Sequence, residues 1–326
     1  MVDATRHPVR IAVVGAGAFG SEHLDRLAAR DDVAIVGVAE PSRAASDVVK
    51  GRHPAIPLFT DPVDMFDEVR PDAAIVATPA ATHFDITSAA ISRRVPVLLE
   101  KPVLPSSAQA AQLVAMTNDG TAFILPGHVL RFSADHVKLA SLVKSGTIGD
   151  IIYIDSRRYR DASHARRYPD TDPVLMTLIH DIDLAVWLAP EPFVSVRGSR
   201  TAGPGFQSLT TADLETASGI RCHLRTAWTF TDGDLPPDRL EVVGECGSIE
   251  LDAGHSLRLY VDGRCTELPL TSGDDPLANE HDCFVARIRN SQAPLPVSMN
   301  DAIIGLKLAE AILQSLASRR EVAVSW

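Results

Sequence analysis

The stretch RIAVVGAGAFGSEHLDRLAAR, Arg10 to Arg30, decides how the chain begins to fold. Ile11 to Val14 form a short apolar β run, and Phe19, His23, Leu24 and Leu27 then recur at helical intervals. Between the two lie Gly15, Gly17 and Gly20, a GxGxxG pattern with a strand before it and a helix after it. The first glycine permits a tight turn, the second lets backbone approach a pyrophosphate, and the third lets helix and strand pack closely. The phosphates then meet the helix N-terminus, where main-chain N–H groups and the dipole favour negative charge. A second apolar run, VAIVGVAE, ends in Glu40, where an acid accepts hydrogen bonds from a ribose diol. The turn from Gly15 to Gly20, with Ala18 and Phe19, is therefore assigned with Glu40 to a dinucleotide. A carboxylate at this place repels the additional phosphate of NADP, so NAD is the expected cofactor. Arg43, three residues on, would attract that phosphate and keeps NADP open.

Further strands and helices alternate after this: DAAIVATP (72–79), a helix over about 82–93, VPVLLEKPV (95–103), a helix over about 106–118, and TAFILPG (121–127). Near-continuous apolar strands between helices specify a parallel sheet covered on both faces, a Rossmann domain over 1–126. Ligands of such sheets bind beyond the C-terminal strand ends, where ATPAATH and EKP fall. The remainder, 127–326, reads differently. GIRCHLRTAWT alternates as a half-buried antiparallel strand, and RLEVVGECGSIELD, HSLRLYVDG and RCTELPL add strands separated by glycine turns. A helix follows from about His281. From Asn300 to about 318, Ile304, Leu308, Ile312 and Leu316 recur every four residues, giving an amphipathic helix that packs on the body of the protein.

Composition narrows the function. The 326 residues are 45% hydrophobic and 22% charged, with a formal net charge of −11, which argues against a phosphate-tracking nucleic-acid surface. Four cysteines at 222, 246, 265 and 283 match neither a CxxC zinc site nor a secreted disulfide scaffold, and read as reduced packing residues. His281, Asp282 and Cys283 look like metal ligands, but no second cluster completes a site, so no metal is expected. No apolar run reaches the roughly 18 residues of a membrane span, and no cleavage-type signal follows the N-terminal apolar run. A cytoplasmic protein with no membrane or nucleic-acid partner is expected.

With GxGxxG, the acid after the second strand, ATPAATH, EKP at 100–102, GHVLRF at 127–132 and HDID at 180–183 in this order, the chain resembles the glucose–fructose oxidoreductase/inositol dehydrogenase (Gfo/Idh/MocA) family. The resemblance runs nearly the whole length. It implies that the Rossmann domain is followed by an α+β domain with a large open, mostly antiparallel sheet, whose face joins subunits into a homodimer or homotetramer. It implies NAD(P)-dependent hydride transfer between nicotinamide and a secondary hydroxyl or ketone of a sugar, cyclitol or sugar derivative. Lys101 matches the lysine that bonds the reacting oxygen, and His180 the active-site histidine. Thr78 and Pro79 match the loop under the cofactor, His83 a histidine near the nicotinamide ribose, and Glu100 and Lys101 the EKP segment beside it. Arg131 matches a family arginine counted with the substrate residues. The chemistry agrees, because a histidine titrates in the useful range and an ammonium beside it stabilises a developing alkoxide. Which of Lys101 and His180 is the base stays open.

The stretch VLMTLIHDIDLAVW, Val174 to Trp187, departs from that family. Most of its dehydrogenases carry an aspartate one turn before the histidine, and Met176 stands there instead. On a regular helix Met176 and His180 are i and i+4 neighbours, and Asp183, at i+3 from His180, offers an acid from the other side. Asp181 points elsewhere. Met176 and Asp183 therefore join the expected substrate contacts, and Met176 is also the main support for a rival reading, a non-catalytic NAD-binding sensor. Just before this stretch, Arg157, Arg158, Arg160, His164, Arg166 and Arg167 crowd into eleven residues. In an acidic chain such a cluster suits an anionic substrate such as a nucleotide sugar, with Arg158 as the expected contact, or else a salt-bridged face.

Overall fold

The computed structural model describes residues 7–117, 120–205, 207–230 and 233–326, and the chain divides into two compact units. The first holds residues up to Val129 together with Leu277–Asn300; the second holds Leu130–Pro276 and Asp301–Trp326.

In the first unit β1 (Val9–Val14), α1 (Ala18–Ala28), β2 (Val33–Ala39), α2 (Arg43–Arg52), β3 (Leu58–Phe59), α3 (Pro62–Val69), β4 (Ala73–Val76), α4 (His83–Ser92), β5 (Val97–Glu100), α5 (Ser107–Ala115) and β6 (Ile124–Gly127) follow in turn. The strands form one parallel sheet in the order β3-β2-β1-β4-β5-β6. Every residue of β4, β5 and β6 is buried, as sheets covered on both faces require. The chain reverses direction across the sheet between β1 and β4, so the crevice lies beyond the C-terminal ends of those two strands. Where α5 was expected to run to about Asn118 it ends at Ala115, and Asn118 itself lies outside the described residues.

The second unit contains α6 (Ala134–Lys144), β7 (Ile151–Asp161), α7 (Ala162–Arg167), α8 (Ile179–Leu188), β8 (Phe193–Ala202), β9 (Ser208–Thr216), β10 (Arg221–Phe230), β11 (Arg239–Gly244), β12 (Gly247–Asp252), β13 (Ser256–Val261) and β14 (Arg264–Leu268). Helix α9 (Pro276–Arg289) then belongs to the first unit, and α10 (Met299–Ser318) and β15 (Val322–Ala323) complete the second. The strands make a nine-stranded sheet, β14-β13-β12-β11-β7-β10-β9-β8-β15, antiparallel except where β10 runs parallel to β7. One face is covered by α6, α8 and α10. Leu139, Ile182, Leu308 and Ile312 pack there against the inward residues Ile154, Leu224 and Val242. The other face carries charged cross-strand pairs, among them Arg225–Asp155 and His223–Asp213 at 2.7 Å and Arg239–Glu250 at 2.8 Å. Of the four free cysteines only Cys222 is a fully packed residue; Cys246 and Cys265 are exposed, so the packing role expected of all four holds for one. Among the described residues no helix is long and apolar enough to cross a membrane.

Candidate active site

The glycine turn is built as its three positions predict, each for a different reason. Gly15 has φ +91°, and a side chain there would put Cβ 2.6 Å from the Ala77 carbonyl oxygen, in the loop after β4. At Gly20 a Cβ would fall 2.1 Å from the carbonyl oxygen of Gly15, so only glycine lets α1 settle on the turn. Gly17 is different. A Cβ there meets nothing within 4 Å, so the protein's own packing makes no demand for glycine. Gly17 is also the N-cap of α1, with no side-chain cap and no acid in the first turn. An uncapped N-terminus behind an open glycine fits a dinucleotide's pyrophosphate.

Glu40 directly follows β2, with its carboxylate fixed. One oxygen accepts the Ala16 N–H at 2.7 Å, and the other accepts the Ser42 N–H at 2.8 Å. Each oxygen keeps a lone pair, so a ribose diol still finds an acceptor whose position is already set. Arg43, the first residue of α2, is exposed beside it.

The loops after β4 and β5 are tied together by His83. Fully buried, its ring meets the Thr78 carbonyl at 2.8 Å through Nε2 and the Val103 carbonyl at 3.0 Å through Nδ1. Burial pushes this imidazole below its ordinary value. His83 thus shapes the crevice from behind. The Thr78 hydroxyl accepts a hydrogen bond from Thr82 at 2.8 Å, and Pro79 is exposed next to it. Glu100 is buried at the end of β5, and half-buried Lys101 follows, joined to Pro102 by a cis peptide.

In the second unit the stretch around His180 departs from the regular helix expected. Val174–Leu178 is one π-helical turn, and α8 starts at Ile179. The extra residue per turn breaks the i, i+4 relation between Met176 and His180. Met176 packs instead in a small cluster with Ala165, Trp228 and Tyr168, while the Trp228 indole N–H donates to the Thr177 hydroxyl at 2.9 Å. His180, half-buried, is followed on α8 by two buried acids, Asp181 and Asp183.

Both acids hold arginines. Asp181, 0% exposed, takes Arg158 of β7 through Nε at 3.0 Å and Nη2 at 3.1 Å, and also accepts from Ser156. Asp183 takes Arg131 through Nε at 2.9 Å and Nη2 at 2.8 Å, and Arg131 reaches Asp301 of α10 at 3.3 Å. Asp238 completes the first set, bonding Arg158 and Arg160. Burial works against the Arg158 charge, yet Asp181 and Asp238 outweigh it and hold the guanidinium protonated. Burial likewise pushes the Asp238 carboxyl up, and Arg158 and Arg160 together bring it below the usual range. Arg158, Arg131 and Asp183, expected at the substrate, are therefore engaged inside the unit. Sequence reasoning missed Asp238 and Asp301. No local motif marks either, because each is defined by a partner far along the chain.

The comparisons with known proteins follow the same division. A family model described as the Gfo/Idh/MocA oxidoreductase family, NAD-binding Rossmann fold, matches residues 9–128, and the model of that family's C-terminal domain matches residues 136–250. The chain belongs to the Gfo/Idh/MocA oxidoreductase family. This family's first domain binds NAD, in accord with the open glycine turn and the fixed Glu40. An inositol 2-dehydrogenase of Rhodococcus erythropolis is 30% identical over 255 residues, 76% of this chain and 73% of its own length. Among solved structures, myo-inositol 2-dehydrogenase from Lactobacillus plantarum superposes with a TM-score of 0.85 at 22% identity, covering 98% of this chain and 100% of its own. UDP-N-acetylglucosamine 3-dehydrogenase from Acidithiobacillus ferrooxidans gives 0.82 at 23% identity, covering 95% and 98%. At these identities the two structures establish the Gfo/Idh/MocA fold.

Proposed function

We propose that this Gfo/Idh/MocA protein is an NAD-preferring dehydrogenase that interconverts a secondary hydroxyl and a ketone on a neutral cyclitol or sugar. When bound, NAD supplies the hydride acceptor. The main-chain N–H groups at Gly17 to Phe19 and the Glu40 carboxylate would hold it, and Glu40 disfavours the extra phosphate of NADP. Lys101, half-buried just past β5, would bond the substrate oxygen and stabilise alkoxide as the hydroxyl proton leaves. His180 would take that proton in oxidation and return it in reduction.

The observation that supports a neutral substrate is the fate of the basic cluster. Arg158 and Arg160 are neutralised by Asp181 and Asp238, and Arg157 donates to the Pro237 carbonyl while stacking on Tyr159. That is the salt-bridged reading for these three arginines, and it supports a substrate that does not need them to hold a phosphate. Inositol 2-dehydrogenase activity in the curated relatives points the same way. Subunits would associate through the charged open face of the nine-stranded sheet.

Purified protein assayed with NAD against a panel of neutral inositols and UDP-sugars tests the reading. Turnover of a neutral polyol, lost by about 10³-fold or more in Lys101→Ala, is the expected outcome. Better kcat/KM for a UDP-sugar would overturn the substrate class. Binding of NAD with no turnover of any member would favour the sensor.

A further inference from the structure

The first unit buries His23, Glu100, Glu280 and His281 near one another, and none of the four is explained by packing. His23, 0% exposed on α1, meets Glu100 Oε1 through Nε2 at 3.1 Å and His281 Nε2 through Nδ1 at 2.8 Å. The other Glu100 oxygen accepts the main-chain N–H of Lys101 at 3.0 Å. β6 passes so closely that a Cβ on Gly127 would lie 3.0 Å from both Oε1 and Cα of Glu100. Phe19 closes the far side, edge-on to the His23 ring at 5.3 Å.

With both rings neutral, one tautomer of each satisfies these bonds. A ring that faces a carboxylate donates from Nε2, which leaves His23 Nδ1 as the acceptor. His281 then gives its Nε2 proton and keeps Nδ1 as a bare lone pair, the one atom of its ring with no hydrogen-bond partner. Burial pushes His281 down to about 2, which is the neutral form this arrangement needs. Glu280, one residue earlier, is 0% exposed with neither oxygen bonded, and burial with the nearby Glu100 charge pushes its carboxyl well above the usual range. The neighbours of His281 in the HDC triplet face other ways, Asp282 to Arg30 and Cys283 to the Pro294 carbonyl. Apolar residues of the same volume would fill this space without the cost that each unsatisfied buried polar group carries.

We infer that His23 is a positioning residue for Lys101: it holds the Glu100 carboxylate where that carboxylate fixes the Lys101 main-chain amide, and His281 locks the His23 ring. The inference rests on Lys101 as the group that bonds the reacting oxygen. His23 touches neither substrate nor cofactor in this scheme; it acts through two hydrogen bonds in series.

The test compares His23→Leu, which fills the space but cannot donate, with His23→Gln, which can donate to Glu100 and accept from His281. In His23→Leu, kcat should fall about tenfold or more while KM for NAD and for the polyol stays within about threefold. Hydrogen exchange at the Lys101 amide should accelerate about tenfold in the same variant, with or without substrate. His23→Gln should recover most of both effects, and His281→Leu should show a smaller loss in the same direction. If His23→Leu does not accumulate folded, the contrast between His23→Gln and His281→Leu decides. Wild-type kcat in His23→Leu, unchanged exchange at Lys101, or equal losses in the Leu and Gln variants would overturn the inference. Full turnover in Lys101→Ala would instead overturn the functional reading, and the exchange measurement would still decide whether His23 orders Lys101.

Discussion

Asp181→Ala is the perturbation whose cost the structure states most directly. The wild-type carboxylate is 0% exposed and bidentate with Arg158, whose side chain is 7% exposed. Alanine leaves that guanidinium in the interior with Asp238 as its remaining carboxylate, and strips Ser156 of its short hydrogen bond. Removing one member of a buried pair costs about 3–5 kcal/mol, most of it the price of a charge left in low dielectric. Because Asp238 stays, the lower end applies, about 3 kcal/mol, or roughly a hundredfold in the folding equilibrium. The assay is urea unfolding followed by tryptophan fluorescence. Trp187, Trp228 and Trp326 all lie in the second unit, so the signal reports that unit and sidesteps the mixed transitions of a two-domain chain. Arg158→Met with Asp181→Leu, which replaces the pair by apolar groups, should recover to within about 1 kcal/mol of wild type. A single variant within about 0.5 kcal/mol of wild type, or a double variant as weak as the single, would refute the claim that the pair is desolvated and coupled.

The same structure separates glycines needed by the fold from those needed by the ligand. Gly20→Ala should destabilise the first unit by about 1–3 kcal/mol, since its Cβ would overlap the Gly15 carbonyl, whereas Gly17→Ala should leave the melting temperature unchanged and weaken NAD binding in calorimetry. Glu280→Gln tests the buried acid by chemical denaturation across pH. A carboxyl raised in the folded state contributes stability below its unfolded pKa near 4.5 and loses it as pH rises, so Gln should gain on wild type by up to about 1.4 kcal/mol per unit above that point. His136 gives the opposite slope. Burial, with the Arg158 charge behind it, lowers this imidazole to about 3, so stability present above pH 6.5 should drain by about 1.4 kcal/mol per unit as pH falls towards 3. His136→Gln should flatten that limb of the tryptophan signal; an unchanged limb would mean that the ring is protonated when folded.

What could be read in advance was what is local. The β1–turn–α1 unit announces itself because strand, glycine spacing and helix occupy consecutive residues, and the continuous apolar runs of β4 and β5 require a sheet covered on both faces. The amphipathic α10 emerged from a strict four-residue repeat, Ile304, Leu308, Ile312 and Leu316, of which Leu308 and Ile312 are fully buried and the outer two half-buried. The π turn was invisible because Val174 to Ile179 is almost uniformly apolar, and a pattern without polar marks has no phase in which to detect one extra residue. The fate of Arg158 is written in the strand's alternation. Arg158 shares the parity of Ile154 and Ser156 on β7, and that parity points to the helix-covered face. The bond between His23 and His281 spans 258 residues, and nothing in either neighbourhood marks the other.

The acids around His180 now have a physical explanation that the histidine itself did not supply. A π turn is a loose lead-in, with one more residue per turn and poorer hydrogen-bond geometry, so α8 begins without a firm N-terminal anchor. Asp181 and Asp183, two apart on that first turn and a half, grip different elements: Asp181 the sheet through Arg158 of β7, Asp183 the 3₁₀ turn after β6 through Arg131. Each contact is bidentate, so each fixes direction as well as distance. His180 precedes both on the same turn of α8, whose position the two arginine pairs fix. HDID and GHVLRF are therefore halves of one device, joined by the Asp183–Arg131 pair, which α10 steadies through Asp301. An aspartate at 176 would have had to do its work from within the π turn, beside Trp228 and Ala165, where a carboxylate is costly to desolvate; methionine there lets the apolar cluster close and leaves the anchoring of α8 to the pairs behind it.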